Sequence, residues 1–124
     1  MGKPAPDVLP EMLIAYENLV ATVPGLERKG AKNPYTSRNG HMFSFLTKEG
    51  LSLRLPDTDR TAFLAEYTTE LSVQHGHVMK EYVLVPDTLL VDTKKLCPYF
   101  EMSHTYIGTL KPKPTKRKKP ASKN

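Results

Sequence analysis

A chain of 124 residues with 39% hydrophobic content fits one domain, with about 100 residues left for a two-layer core once a Pro-rich start and a basic end are set aside. Its single cysteine, Cys97, excludes an intramolecular disulfide, and no apolar run approaches the ~20 residues of a membrane-spanning helix. The 18 Lys and Arg outnumber the 13 Asp and Glu only because seven of the basic residues, and none of the acids, lie in the segment KPKPTKRKKPASKN at 111–124; without it the net charge of +5 becomes −2. Contact with a polyanion is therefore expected to run through that segment and not through the domain.

Residues 1–9 are rich in proline, lack the apolar core of a signal peptide and read as a flexible start. Gly2 suggests no myristoylation, because Pro6 stands where Ser or Thr is required. A soluble, cytoplasmic protein is the expectation. The first helix is predicted from Pro10 to Thr22, with Leu9, Leu13, Ile14, Tyr16 and Val20 at helical spacing. Pro10 suits a first turn and Val23-Pro24-Gly25 stops the helix.

A polar stretch then leads into Tyr35–Arg38, followed by Asn39-Gly40 and by His41–Leu46. Asn-Gly favours a two-residue hairpin turn because both positions tolerate positive φ. A second turn over Thr47–Gly50 leads to Leu51–Leu55, where three leucines alternate with Ser52 and Arg54. That period of two predicts a half-buried strand with the leucines on the core face.

Pro56-Asp57 ends the strand, and Asp57 is expected to cap a second helix over Thr58–Tyr67 with Phe63, Leu64 and Tyr67 as its buried stripe. The segment SVQHGHVMKEYVLVP predicts two further strands about a turn or bulge at Gly76, the stronger being Met79–Val85. Pro86-Asp87 repeats the stop-and-cap pair before a helical region from Thr88 to Leu110, with Tyr99, Phe100, Tyr106, Ile107 and Leu110 on its apolar face. Pro98 is expected to kink that region or split it in two. The Lys-Pro repeats from Lys111 onward read as extended and disordered. The order α-β-β-β-α-β-β-α predicts a two-layer α+β domain over residues 10–110, with a mainly antiparallel five-stranded sheet and helices on one face.

YTSRNGHMFSFL at 35–46, VMKEYVLVP at 78–86 and LKPKPTKRKK at 110–119 resemble the TfoX N-terminal-domain-like (TfoX/Sxy) family over residues 10–120. The blocks Asn39–Phe43 and Met79–Tyr82 are the most specific part of the likeness. The resemblance implies an α+β fold with an antiparallel sheet and a regulatory, non-enzymatic bacterial protein. It brings no catalytic residue and no cofactor.

Five constellations could carry chemistry. Lys111, Lys113, Lys116, Arg117, Lys118 and Lys119 could dock on phosphates and release counterions, or simply solubilise the chain end. The segment has no aromatic residue to stack on bases, so any nucleic-acid contact there is non-specific. His75 and His77, at i and i+2 of a strand, would share a face as two metal ligands, with His41, Glu81 or Cys97 needed to complete a site; two ligands alone do not close one. Lys80 and Tyr82 on one strand face and Glu81 with Arg54 offer either acid–base groups or a cross-strand charge pair beside a packed tyrosine. Cys97, with His104 two helical turns on, reads as a buried structural cysteine, and Thr36, Ser37 and Arg38 as an anion site or turn solvation. The expected activity is binding: a protein partner on the sheet, nucleic acid on the tail, and self-association across an exposed edge strand.

Overall fold

The computed structural model describes residues 8–30 and 34–112. The expectations for residues 1–7 and for the tail from Lys113 onward lie outside the described residues. The elements follow the expected order: α1 (Pro10–Val20), β1 (Tyr35–Arg38), β2 (His41–Thr47), β3 (Gly50–Arg54), α2 (Asp57–Glu66), β4 (Leu71–Gln74), β5 (His77–Val85), α3 (Asp87–Leu90) and α4 (Thr93–Thr109). The strands form one open antiparallel sheet in the order β1-β2-β3-β5-β4, and the helices pack on one face of it. No helix among the described residues is long and apolar enough to cross a membrane.

In α1, Pro10 occupies the first turn after an extended Leu9, where its missing amide costs nothing. The buried residues are Ala15, Tyr16, Leu19 and Val20, while Leu9 and Ile14 are 52% and 59% exposed. The apolar face is thus rotated from the expected one. Ile14 lies two residues before Tyr16, about 200° around the helix, so both cannot face the sheet.

Two tight turns set the sheet. Asn39 (φ 57°) and Gly40 (φ 80°) join β1 to β2, and His75 (φ 52°) and Gly76 (φ 79°) join β4 to β5, each pair in the left-handed region that a two-residue hairpin demands. Between them, Leu46 pairs with Leu51 and Ser44 with Leu53, and β5 continues the face with Val83 and Val85. Leu51, Leu53 and Leu55 are fully buried, as their alternation predicts. Ser52 is buried too, because its hydroxyl shares a 2.6 Å hydrogen bond with Ser72 of β4; the far side of β3 is not simply solvated.

Two irregularities break the period of two. Thr36 pairs with Ser44 but Ser37 with Met42, so Phe43 is the extra residue of a bulge. The bulge brings Phe43 and Ser44 together onto the helical side, where Phe43 stacks at 5.5 Å on Phe100 and Ser44 bonds Tyr16. In the β4–β5 ladder, Leu71 pairs with Val83 and Val73 with Val78, so Ser72 alone stands opposite the stretch Met79–Tyr82.

Two cap expectations and the place of the C-terminal helix break are corrected. Pro56 and Pro86 themselves take the extended N-cap conformation, making Asp57 and Asp87 the first helical residues with no capping bond from their side chains. Asp57 instead accepts from Arg60 at 3.2 Å. The C-terminal helical region divides at Val91-Asp92, and α4 runs through Pro98. Asp92 provides the break: its carboxylate accepts from the free amide of Lys95 at 3.3 Å, which starts a new helix there.

Candidate functional site

Two partly exposed places bring polar side chains from distant segments together. The first is the corner where the β1–β2 turn meets the end of α4. Arg38 donates to the carbonyl of His104 at 2.9 Å, and the same nitrogen lies 3.3 Å from His104 Nδ1. The side-chain amide of Asn39 reaches the carbonyls of Ile107 (3.5 Å) and Gly108 (3.4 Å), and His41 Nε2 lies 2.8 Å from the carbonyl of Lys111, to which it donates. The carbonyl of Gly108 is among the last of α4, which lack an intrahelical amide, and that of Ile107 accepts only the Leu110 amide at 3.2 Å, so Asn39 acts as a cap supplied from outside the helix. His104 packs edge-on against Phe43, 5.6 Å between ring centroids. Burial, and then the neighbouring Arg38 cation, hold its imidazole below the usual histidine range. The corner therefore presents Arg38 as a cation beside a neutral imidazole, and the chain leaves it through Lys111.

The second place lies on β3 and β5, beside the β4 edge and the irregularity of its pairing with β5. Arg54 Nε donates to Glu81 at 2.6 Å across β3 and β5, with both side chains partly exposed. Tyr82 lies over the sheet against Phe45 at 5.3 Å and donates its hydroxyl to the carbonyl of Met42 at 2.6 Å, beside the Phe43 bulge. Burial is the main reason its phenol is pushed up from the ordinary value. Arg54, Val78, Met79, Lys80, Glu81 and Tyr82 line an open groove of about 420 Å³. Next to it β4 forms the sheet edge, with Val73 and Val78, cross-strand partners, 51% and 55% exposed.

No family model, no curated protein and no solved structure matches the chain.

The residues singled out in the sequence are dispersed over the fold. Of the tail residues, Lys111 is described and exposed, while Lys113, Lys116, Arg117, Lys118 and Lys119 lie outside the described residues. His75 belongs to the turn and only His77 to β5, so the two do not share a strand face as a pair of ligands would. Among the described residues no three His, Cys, Asp or Glu side chains gather as a metal site. Lys80, Glu81 and Tyr82 lose regular pairing with β4, while Tyr82 stays in register with Arg54 of β3; the Arg54–Glu81 pair and the packed Tyr82 take the structural form of that constellation. Cys97 is half-buried instead of buried and lies 3.3 Å from Glu101, one turn along α4, while His104 is engaged with Arg38. Thr36 is buried in a hydrogen bond to Ser44, and Arg38 serves α4; with Ser37 they do not form an anion pocket.

Asn39 was legible as a turn former but not as a donor to a helix carbonyl 68 residues further along the chain, because no local spacing encodes that contact. The Val73–Val78 pair did carry a signal: the two valines are symmetric about His75-Gly76 in VQHGHV.

Proposed function

We propose that this protein is a non-enzymatic, cytoplasmic bacterial interaction module of the TfoX N-terminal type, which engages a protein partner through its sheet. The observation that carries this reading is the β4 edge, where Val73 and Val78 expose apolar surface beside an open groove. Exposed apolar pairs on a sheet edge invite another strand, and edges without such a purpose are normally blunted by charge or proline. Segment 71–74, LSVQ, has neither. The test is affinity capture with the full chain and with Val73→Lys. A partner identified with the native chain and lost with the variant supports the reading; identical capture profiles overturn it.

A second reading, nucleic-acid association through the basic tail, is favoured by one contact. The carbonyl of Lys111 is held by His41, next to exposed Arg38, so the basic segment starts from a corner that already carries a cation. Binding to a random DNA duplex should then weaken with salt, with a log–log slope of about −4 to −6 if most tail charges meet phosphates. A chain ending at Leu110 should lose that binding, and binding unchanged by the truncation sinks the tail reading.

A further inference from the structure

We propose that the strand added at β4 is β4 of a second copy of this chain, paired antiparallel across a two-fold axis so that the two sheets become one. The proposal rests on the reading of this edge as the interaction surface and names its occupant.

The ladder shows which backbone groups face outward. Leu84 donates its amide to the carbonyl of Glu70 at 2.9 Å, which makes Leu71–Val83 a pair that does not exchange hydrogen bonds. The amide and carbonyl of Leu71 therefore point away from β5. Val73 stands opposite Val78, next to the pair Gln74–His77 that closes the two-residue turn, and it too directs its amide and carbonyl outward. Leu71 and Val73 thus offer donors and acceptors that no other strand takes up among the described residues. The opposite edge of the sheet is different. There Tyr35 exchanges both backbone bonds with Lys29, at 2.8 and 2.9 Å, and Arg38 ends the strand.

The edge is complementary to itself in one register. With Ser72 on the axis, Leu71 of each copy pairs with Val73 of the other, and both outward-facing residues exchange main-chain bonds. The same register stacks Leu71 and Val73 side chains across the join and covers the exposed valine. It places Glu70 of each copy opposite Gln74 of the other and beside His75, so an acid meets an amide donor and an imidazole. No charge lies within Leu71–Gln74 to oppose its own copy. Shifting the axis onto Leu71 or Val73 loses the Leu71–Val73 pairs. The two-fold arrangement is also the common form of a self-complementary contact.

Four residues per strand make a small interface of the weak, concentration-dependent kind. The full chain is therefore followed by light scattering over a concentration series, with amide hydrogen exchange measured at both ends of it. The expected result is a dimer that forms with concentration, in which the amides of Leu71 and Val73 slow by about tenfold or more. Val73→Lys should remain monomeric with unchanged circular dichroism. A native chain that stays monomeric throughout, or a dimer in which those two amides exchange as fast as in dilute solution, overturns the proposal. If Val73→Lys fails to fold, the exchange comparison on the native chain decides alone. A monomer that loses an identified partner on Val73→Lys would overturn the two-fold pairing and leave the protein-binding reading standing. A dimer with protected edge amides and no other captured partner would leave the two-fold pairing standing and make the second copy itself the partner of this edge.

Discussion

The guanidinium of Arg38 fills the space that a side chain on Gly108 would need: a Cβ on Gly108 would stand 2.5 Å from its Cζ. Gly108 lies inside α4, where glycine is a poor helix former, so its presence is explained by this close approach. Gly108→Ala sets two effects against each other. Alanine improves the helix by about 1 kcal/mol. Displacing Arg38 from the His104 carbonyl loses a hydrogen bond of about 0.5–1.5 kcal/mol. Stability should therefore change by less than about 1 kcal/mol in either direction. The informative signal is at His104, whose pKa should rise toward the ordinary value once the cation is pushed away. An NMR titration of its ring protons checks this, and an unmoved value would show that Arg38 does not act on it.

The same imidazole makes stability depend on pH. Burial, then Arg38, lowers the pKa of His104 in the folded chain. The unfolded chain binds the proton at about 6.5 and the folded chain only at lower pH, so between these values the unfolded state holds more protons. This contribution is complete above about 6.5 and is lost as pH falls toward the folded value. Urea midpoints should drop on acidification across that window. Arg38→Ala should shrink the drop without abolishing it, because burial is the larger cause.

The parts of the fold written in short-range chemistry were legible in the sequence. Asn39-Gly40 needs positive φ at both positions, Gly76 marks a turn although His75 reads as strand, and Leu51, Leu53 and Leu55 carry the strand period openly. The bulge at Phe43 was not legible, since an apolar run His41–Leu46 looks the same with or without an extra residue. Nor was the rotation of α1: Ile14 is as apolar as its neighbours, and the face that turns inward is the one carrying Ala15, Tyr16, Leu19 and Val20, with Tyr16 bonded to Ser44. The candidate site divides in the same way. The charge of the tail could be counted, but His41 meeting Lys111 and Arg38 meeting His104 are tertiary contacts that no local pattern encodes.

A buried polar trio gives the next prediction. The Tyr16 hydroxyl shares a 2.6 Å hydrogen bond with Ser44, and Ser44 also bonds Thr36. All three residues are fully buried, and burial pushes the Tyr16 phenol up to about 12. Tyr16→Phe leaves Ser44 and Thr36 paired with each other, so the loss should be about 1 kcal/mol. Ser44→Ala strands a hydroxyl on each side and should cost about 2–3 kcal/mol. Denaturant unfolding of the two variants checks the order; equal losses would mean the trio does not act through Ser44. Above pH 10 the unfolded chain ionises its tyrosine while folded Tyr16 resists until about 12, so this contribution to stability is lost across that interval.

Pro98 gives a prediction of the opposite sign. It sits inside α4, exposed, one turn beyond the Lys94 carbonyl that a residue with an amide would engage. Its ring also crowds that carbonyl, and an interior proline costs a helix about 3 kcal/mol relative to alanine. Pro98 is the sixth residue after the Asp92 cap, past the free amides of the helix start, so its place in α4 does not relieve that cost. Pro98→Ala should therefore stabilise the protein, by up to about 3 kcal/mol. Because the side chain is exposed, little packing is lost in exchange. Thermal unfolding should show a higher midpoint, and the amide that the substitution introduces should exchange slowly if it bonds to Lys94. A lowered midpoint would mean that the proline ring contributes to folding in a way its exposed position does not suggest.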